Sequence, residues 1–142
     1  MNRQLVNQWT KEGFENLILH GALYGEKQGP MPAWSEKFHT MFDWDNVGLC
    51  FFMMTTGQAL PTHRDHYETY CRLHNIQNPK TISRAIVFLE DWQSGHYFEI
   101  DDKPIVDWVA GDYVYWEYDT AHYAGNFGID PRYTLQITGT TK

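Results

Sequence analysis

From residue 47 to residue 139 the sequence is one short strand-forming run after another, and this succession restricts the fold more than any other feature. Residues 47–55 are apolar at consecutive positions, which suits a strand covered on both faces. Gly57 breaks that run, and residues 59–63 form a short strand behind the break. Residues 67–80 are polar, with Asn75, Asn78 and Pro79, and read as a loop. Runs at 81–89, 95–100, 103–110, 113–116, 121–123 and 132–139 follow, set apart by turn residues at 91–94 and 101–102. About eight short strands with no helix between them predict a sandwich or barrel.

The first third of the chain reads differently. Leu5, Trp9, Phe14 and Leu17 recur at helical spacing over residues 3–20, with Gly13 dividing the segment. That stretch is assigned to packing. Residues 21–36 are rich in glycine and proline and predict an irregular connection, after which Trp34 and residues 38–44 return the chain to the body. The expected organisation is one domain over 1–142, a helical and irregular flank to residue 46 and a β core beyond it.

Composition and charge exclude several classes. The net charge of −7 argues against a polyanionic partner, since nucleic-acid binding leaves a basic footprint. No apolar run reaches membrane-spanning length and no signal-peptide core follows Met1, so a cytoplasmic protein with no membrane partner is expected. Cys50 and Cys71 form no CxxC pair or disulfide framework, consistent with reduced thiols.

Chemistry concentrates in Pro61-Thr62-His63-Arg64-Asp65-His66-Tyr67. On an extended backbone His63 and Asp65 point the same way, which makes half of a facial metal site. His66, three residues from His63, diverges from it on a strand. His122 offers a third ligand. Two imidazoles and one carboxylate with the opposite positions open suit a non-haem Fe(II) centre. Arg132 and Thr134 share one face of the last strand, while Tyr133, Leu135 and Ile137 share the other. Arg84 interrupts an apolar strand, where a charge needs a partner. His20 and His39 have no partner at a telling spacing.

These residues carry a family resemblance. Gly57 followed by His63, and Gly111 followed by His122 and Asn126, resemble the two motifs of the cupin superfamily. Glu117 and Asp119 replace the Pro and Gly usual inside the second. Within that superfamily, His63-Arg64-Asp65, His122 and Arg132-Tyr133-Thr134 resemble the 2-oxoglutarate/Fe(II)-dependent oxygenases. The resemblance spans residues 57–139 and implies a double-stranded β-helix, or jelly roll. It implies a dioxygenase, a hydroxylase of a peptidyl or small-molecule substrate, with His63, Asp65 and His122 holding iron. Arg132 and Thr134 would hold the far carboxylate of the cosubstrate 2-oxoglutarate, a bidentate role suited to arginine. Arg84 has two readings: contact with the metal-bound end of 2-oxoglutarate, as in aspartyl/asparaginyl hydroxylases, or a structural bridge to an acid. Asn126 either orients a ligand or stabilises the turn before Gly128. The alternatives in function are a metal-dependent cupin enzyme that does not use 2-oxoglutarate, and a non-catalytic cupin-like binding module.

Overall fold

A computed structural model describes residues 3–13 and 22–142, with side chains from residue 7 onward. Nine strands run in chain order through the described residues: β1 Ala22–Gly25, β2 Trp44–Met54, β3 Ala59–His63, β4 Ile82–Phe88, β5 His96–Ile100, β6 Lys103–Ile105, β7 Tyr113–Glu117, β8 His122–Asn126 and β9 Arg132–Thr141. They form two antiparallel sheets, β1-β2-β9-β4-β7 and β3-β8-β5-β6. This is the mainly β architecture that the strand succession predicts, in the jelly-roll form that the family resemblance implies.

Period-two alternation decides what lies between the sheets. Phe52 and Met54 of β2, Ile86 and Phe88 of β4 and Trp116 of β7 meet Phe98 of β5 and Ala124 of β8 in one core, with Trp108 stacked on Phe88. The opposite face of the larger sheet is also covered. Leu49, Ala85, Val87, Leu135 and Ile137 pack beneath Met31, Phe38, Met41 and Phe42, which come from the 3-10 turn Ala33–Thr40 and its flanks. Residues 38–44 thus return the chain to the body by capping a sheet. The continuous apolar character of 47–55 follows, because β2 is covered on both sides.

Three local expectations are corrected. Residues 68–74 form a helix, α2 (Glu68–His74), where a loop is predicted. Its residues are mostly exposed, so it lacks the apolar stripe that periodicity detects, and Asn75 ends it in the left-handed conformation at φ 53°. Within the expected irregular connection, residues 22–25 pair with β2 as an edge strand. Too short for a periodic signal, that strand is defined by its backbone ladder. The run at 103–110 keeps strand form only to Ile105, after which Trp108 turns inward to stack.

The amino-terminal helix, α1 (Arg3–Lys11), stops before Gly13, whose φ is +95°. Phe14, Leu17, His20 and the Leu5 side chain lie outside what is described. Trp9, the helix residue whose role can be read, is 1% exposed and meets His63 edge-on at 5.2 Å between ring centroids. Packing is indeed its part, and what it packs against is the site described next.

Candidate metal centre

Register places the three motif residues together. His63 ends β3 directly opposite His122, the first residue of β8, so two imidazoles share one end of the smaller sheet. Asp65 follows β3 by two residues and turns its carboxylate between them. Asp65 Oδ1 lies 3.6 Å from His63 Nε2, and Oδ2 lies 3.5 Å from His122 Nε2. One ligand atom from each residue falls within a sphere of 4.8 Å mutual separation. Such separations are wider than hydrogen bonds. They match the edges of a coordination shell whose metal–ligand bonds are about 2.0–2.2 Å.

The hydrogen bonds behind the ligands agree with that reading. His63 Nδ1 lies 2.7 Å from the Pro61 carbonyl, and His122 Nδ1 lies 3.1 Å from the Thr120 carbonyl. A carbonyl only accepts, so each ring donates from Nδ1 and presents the bare lone pair of Nε2 toward Asp65. Burial pushes the His122 imidazole down to about 4, with the neighbouring His63 adding to the effect, so it is neutral and ligand-competent near pH 7. Burial alone would raise the Asp65 carboxyl. Arg84 and the two imidazoles beside the group together outweigh burial and hold it far below the usual carboxylate range. The donor set therefore fits a divalent first-row metal.

Arg84 belongs to this site. From β4 it donates through Nη1 to Asp65 Oδ2 at 2.8 Å and through Nε to Thr138 Oγ1 at 3.2 Å, and its guanidinium lies 4.9 Å from the Tyr67 ring centroid. Of its two readings, the bridge to an acid is present, and the acid is a member of the trio. The Arg84 contact uses one lone pair of Oδ2, and the Asp65 carboxylate keeps others free for a metal. His66 is exposed and outside the trio.

The structure does not bring Arg132 and Thr134 to the trio. Thr138, the β9 residue at the level of Arg84, is six residues beyond Arg132, roughly 20 Å of strand. Between the two ends lies a chain of rings. The Arg132 guanidinium is 5.9 Å from the Phe98 ring, Phe98 is 5.7 Å from Trp116, and Trp116 is 4.7 Å from His122. Arg132 donates instead to the Tyr97 carbonyl at 3.1 Å and to Met54 Sδ at 3.0 Å. Alternation along β9 does turn both residues inward, with Arg132 1% and Thr134 0% exposed. The depth along the barrel is what sequence offset could not give.

Two further neighbours complete the surroundings of the trio. Tyr67 closes over Arg84, and Trp116 lies on His122, while Tyr113 and Tyr115 of the same strand face outward. Tyr67 carries no signal beyond adjacency to the motif. Asn126 serves the turn: its Oδ1 accepts from Gly128 N at 3.0 Å, and its Nδ2 donates to the Met54 and Asp130 carbonyls.

Comparison with solved structures bears on the architecture. The chain resembles the cupin 2 domain of an XRE-family transcriptional regulator from Enterobacter cloacae, with a TM-score of 0.54 at 10% identity over 86% of this chain and 98% of that one. It resembles a predicted oxalate decarboxylase from Thermotoga maritima, with a TM-score of 0.52 at 12% identity over 85% and 81% of the two chains. A cupin superfamily protein from Desulfitobacterium hafniense gives 0.50 at 13% identity over 90% and 84%. The fold is that of the cupins. No family model and no curated protein sequence matches the chain. These cupin-fold neighbours thus include both a regulator domain and a protein described as an enzyme, and the fold does not choose between those uses.

Proposed function

We propose that this protein is a mononuclear, Fe(II)-dependent cupin oxygenase whose small-molecule ligand carries a carboxylate or related oxyanion to the metal beside Arg84. One observation carries the reading: two Nε2 lone pairs and one carboxylate oxygen converge at the barrel end, with a guanidinium fixed against the same carboxylate. When bound, a metal with this ligand set supplies open positions at which dioxygen and an organic ligand meet. The chain's own residues do the rest. Pro61 and Thr120 orient the two rings, and Thr138 holds Arg84, which compensates the charge of Asp65. Trp9 and Trp116 pack the histidines and leave His63 and His122 side chains 7% and 6% exposed, so water reaches the ligands from few directions.

A 2-oxoglutarate-dependent hydroxylase is the second reading, favoured by one feature of the far end. Among the described residues, no carboxylate contacts the buried Arg132 and no hydrogen-bond partner meets the buried Thr134 Oγ1, which is the pair the family resemblance assigns to the far carboxylate. The intervening Phe98 and Trp116 rings favour the first reading.

Metal content and anaerobic ligand titration test both. One Fe(II) per chain is expected, lost on replacing His63, Asp65 or His122 by Ala. Titrating 2-oxoglutarate into the Fe(II) protein then separates the readings. Binding that weakens about ten- to hundredfold in Arg132→Ala supports the cosubstrate role. Absence of binding at millimolar concentrations removes it and leaves the first reading. Failure to bind Fe(II) removes both and leaves a binding module.

A further inference from the structure

Each sheet ends in two outer strands, and three of those four edges are blunted against pairing. β6 is three residues long and contains Pro104. β3 contains Pro61, which has no N–H to offer, and its register shifts between Leu60 and His63. At β1 the Gly25 N–H donates to Gln28 Oε1, and the Gly25 carbonyl accepts from Gln28 N. β7 differs. It pairs with β4 in an unbroken register and contains no proline or lysine. Among the described residues no strand lies on its other side, so alternate N–H and C=O groups there have no backbone partner. A groove of about 340 Å³ opens beside the start of this strand, between Val114 and the segment Ile105, Val106 and Trp108, with Asp107 and Asp112 also lining it. Val106 and Tyr113 at the groove are 42% and 48% exposed, which leaves apolar surface in water.

An unpaired edge next to an apolar groove is the layout for strand addition, in which main-chain bonds hold a peptide and alternate side chains fill pockets. Two carboxylates at the groove, on a chain of net charge −7, complement a basic occupant. A second copy of β7 fits less well. It brings Asp112 and Glu117 to an edge that is already acidic, and its Val114 and Trp116 stay in their own core and leave the groove unfilled. We propose that β7 and this groove bind an extended apolar and basic peptide segment, which adds a strand to the larger sheet. Its apolar side chains enter the groove, and its lysines or arginines lie against Asp107 and Asp112. The proposal is independent of the metal centre.

The probes are end-blocked heptapeptides Lys-Thr-X-Thr-X-Thr-Lys, with X as Val, Leu or Phe, long enough to cover the roughly 17 Å of β7. Titration calorimetry is expected to show micromolar binding of at least one of them, as suits a small surface. Hydrogen exchange followed by NMR should then show alternate amides of residues 113–117 newly protected. N-methylation of one alternate set of peptide amides should weaken binding at least about tenfold, while the other set tolerates it within about threefold. Val106→Ser should weaken binding about three- to tenfold by removing apolar contact. Asp107→Asn, which suits the left-handed backbone there at φ 60°, should weaken it about two- to fivefold. Both positions are exposed, and if either variant fails to fold, the N-methyl comparison on the wild type decides. Absence of binding by all three peptides at about 1 mM overturns the proposal. Equal tolerance of both N-methylated sets overturns strand addition, and undiminished binding of peptides carrying Glu for Lys overturns the basic occupant. Protection of the same amides that grows with protein concentration and needs no peptide assigns the edge to a second copy and overturns the proposal as well.

Discussion

The two ends of the barrel each hold an inward-facing arginine, and they treat it differently. At one end Arg84 meets Asp65 at 2.8 Å, keeps its side chain 21% exposed, and is held firmly cationic because Asp65, together with Tyr67, Cys50 and Tyr70, outweighs the effect of burial. At the other, Arg132 is enclosed by Met54, Phe98 and the Tyr97 carbonyl, and burial pushes it down to about 10, with Glu90 acting only at a distance. Side-chain type and inward alternation are the same. What differs is whether a carboxylate reaches the guanidinium, and that follows from where the segment after β3 turns. An inward arginine therefore identifies a candidate, and its partner identifies the role.

The largest contrast is expected in metal binding. Asp65→Ala should reduce Fe(II) or Co(II) affinity more than a hundredfold, beyond the loss seen when an outer partner of a ligand is removed. Arg132→Ala should leave that affinity nearly unchanged by the same calorimetry. Comparable loss in both variants would erase the distinction between the ends.

Acid unfolding of the metal-free protein should report the same end. His122 titrates at about 4 in the folded chain against 6.5 when unperturbed, so the unfolded chain takes up its proton first as pH falls. Stability from this group is complete above about pH 6.5 and is lost progressively down to about 4, amounting to about 3 kcal/mol at 1.36 kcal/mol per pH unit. Urea titrations of wild type and His122→Gln between pH 7 and 4 measure it. Parallel curves for the two proteins would contradict this account.

A smaller contrast lies in the arginines' own contributions. Arg84→Met leaves Asp65 partly buried beside no cation and should destabilise the metal-free protein by about 2 kcal/mol, since some solvent reaches the pair. Arg132→Met removes an unpaired buried charge and should be neutral or stabilising by about 1 kcal/mol. Equal destabilisation would mean that an acceptor compensates Arg132 after all. The smallest effect is expected at His66, exposed beside the trio, where His66→Ala should change Co(II) affinity less than about twofold.

The sequence by itself determined the β architecture, because period-two alternation and turn residues act over a few positions and survive in any tertiary context. It also determined the trio. His63 and Asp65 are close in the chain, and His122 opens a later strand run, so little beyond strand direction was needed to bring them together. It missed α2, whose exposed residues carry no stripe, and β1, whose evidence is a backbone ladder with a distant strand. It put Arg132 and Thr134 on the inward face of β9, as observed, and left their depth along the barrel open. Facing is a local property of the strand, whereas depth depends on the register between β9, β4 and β2 and on how the segment after β3 turns inward. Tertiary structure alone set Arg84 on Asp65, Tyr67 beneath Arg84 and Trp116 against His122, because each contact joins elements whose separation is a product of packing.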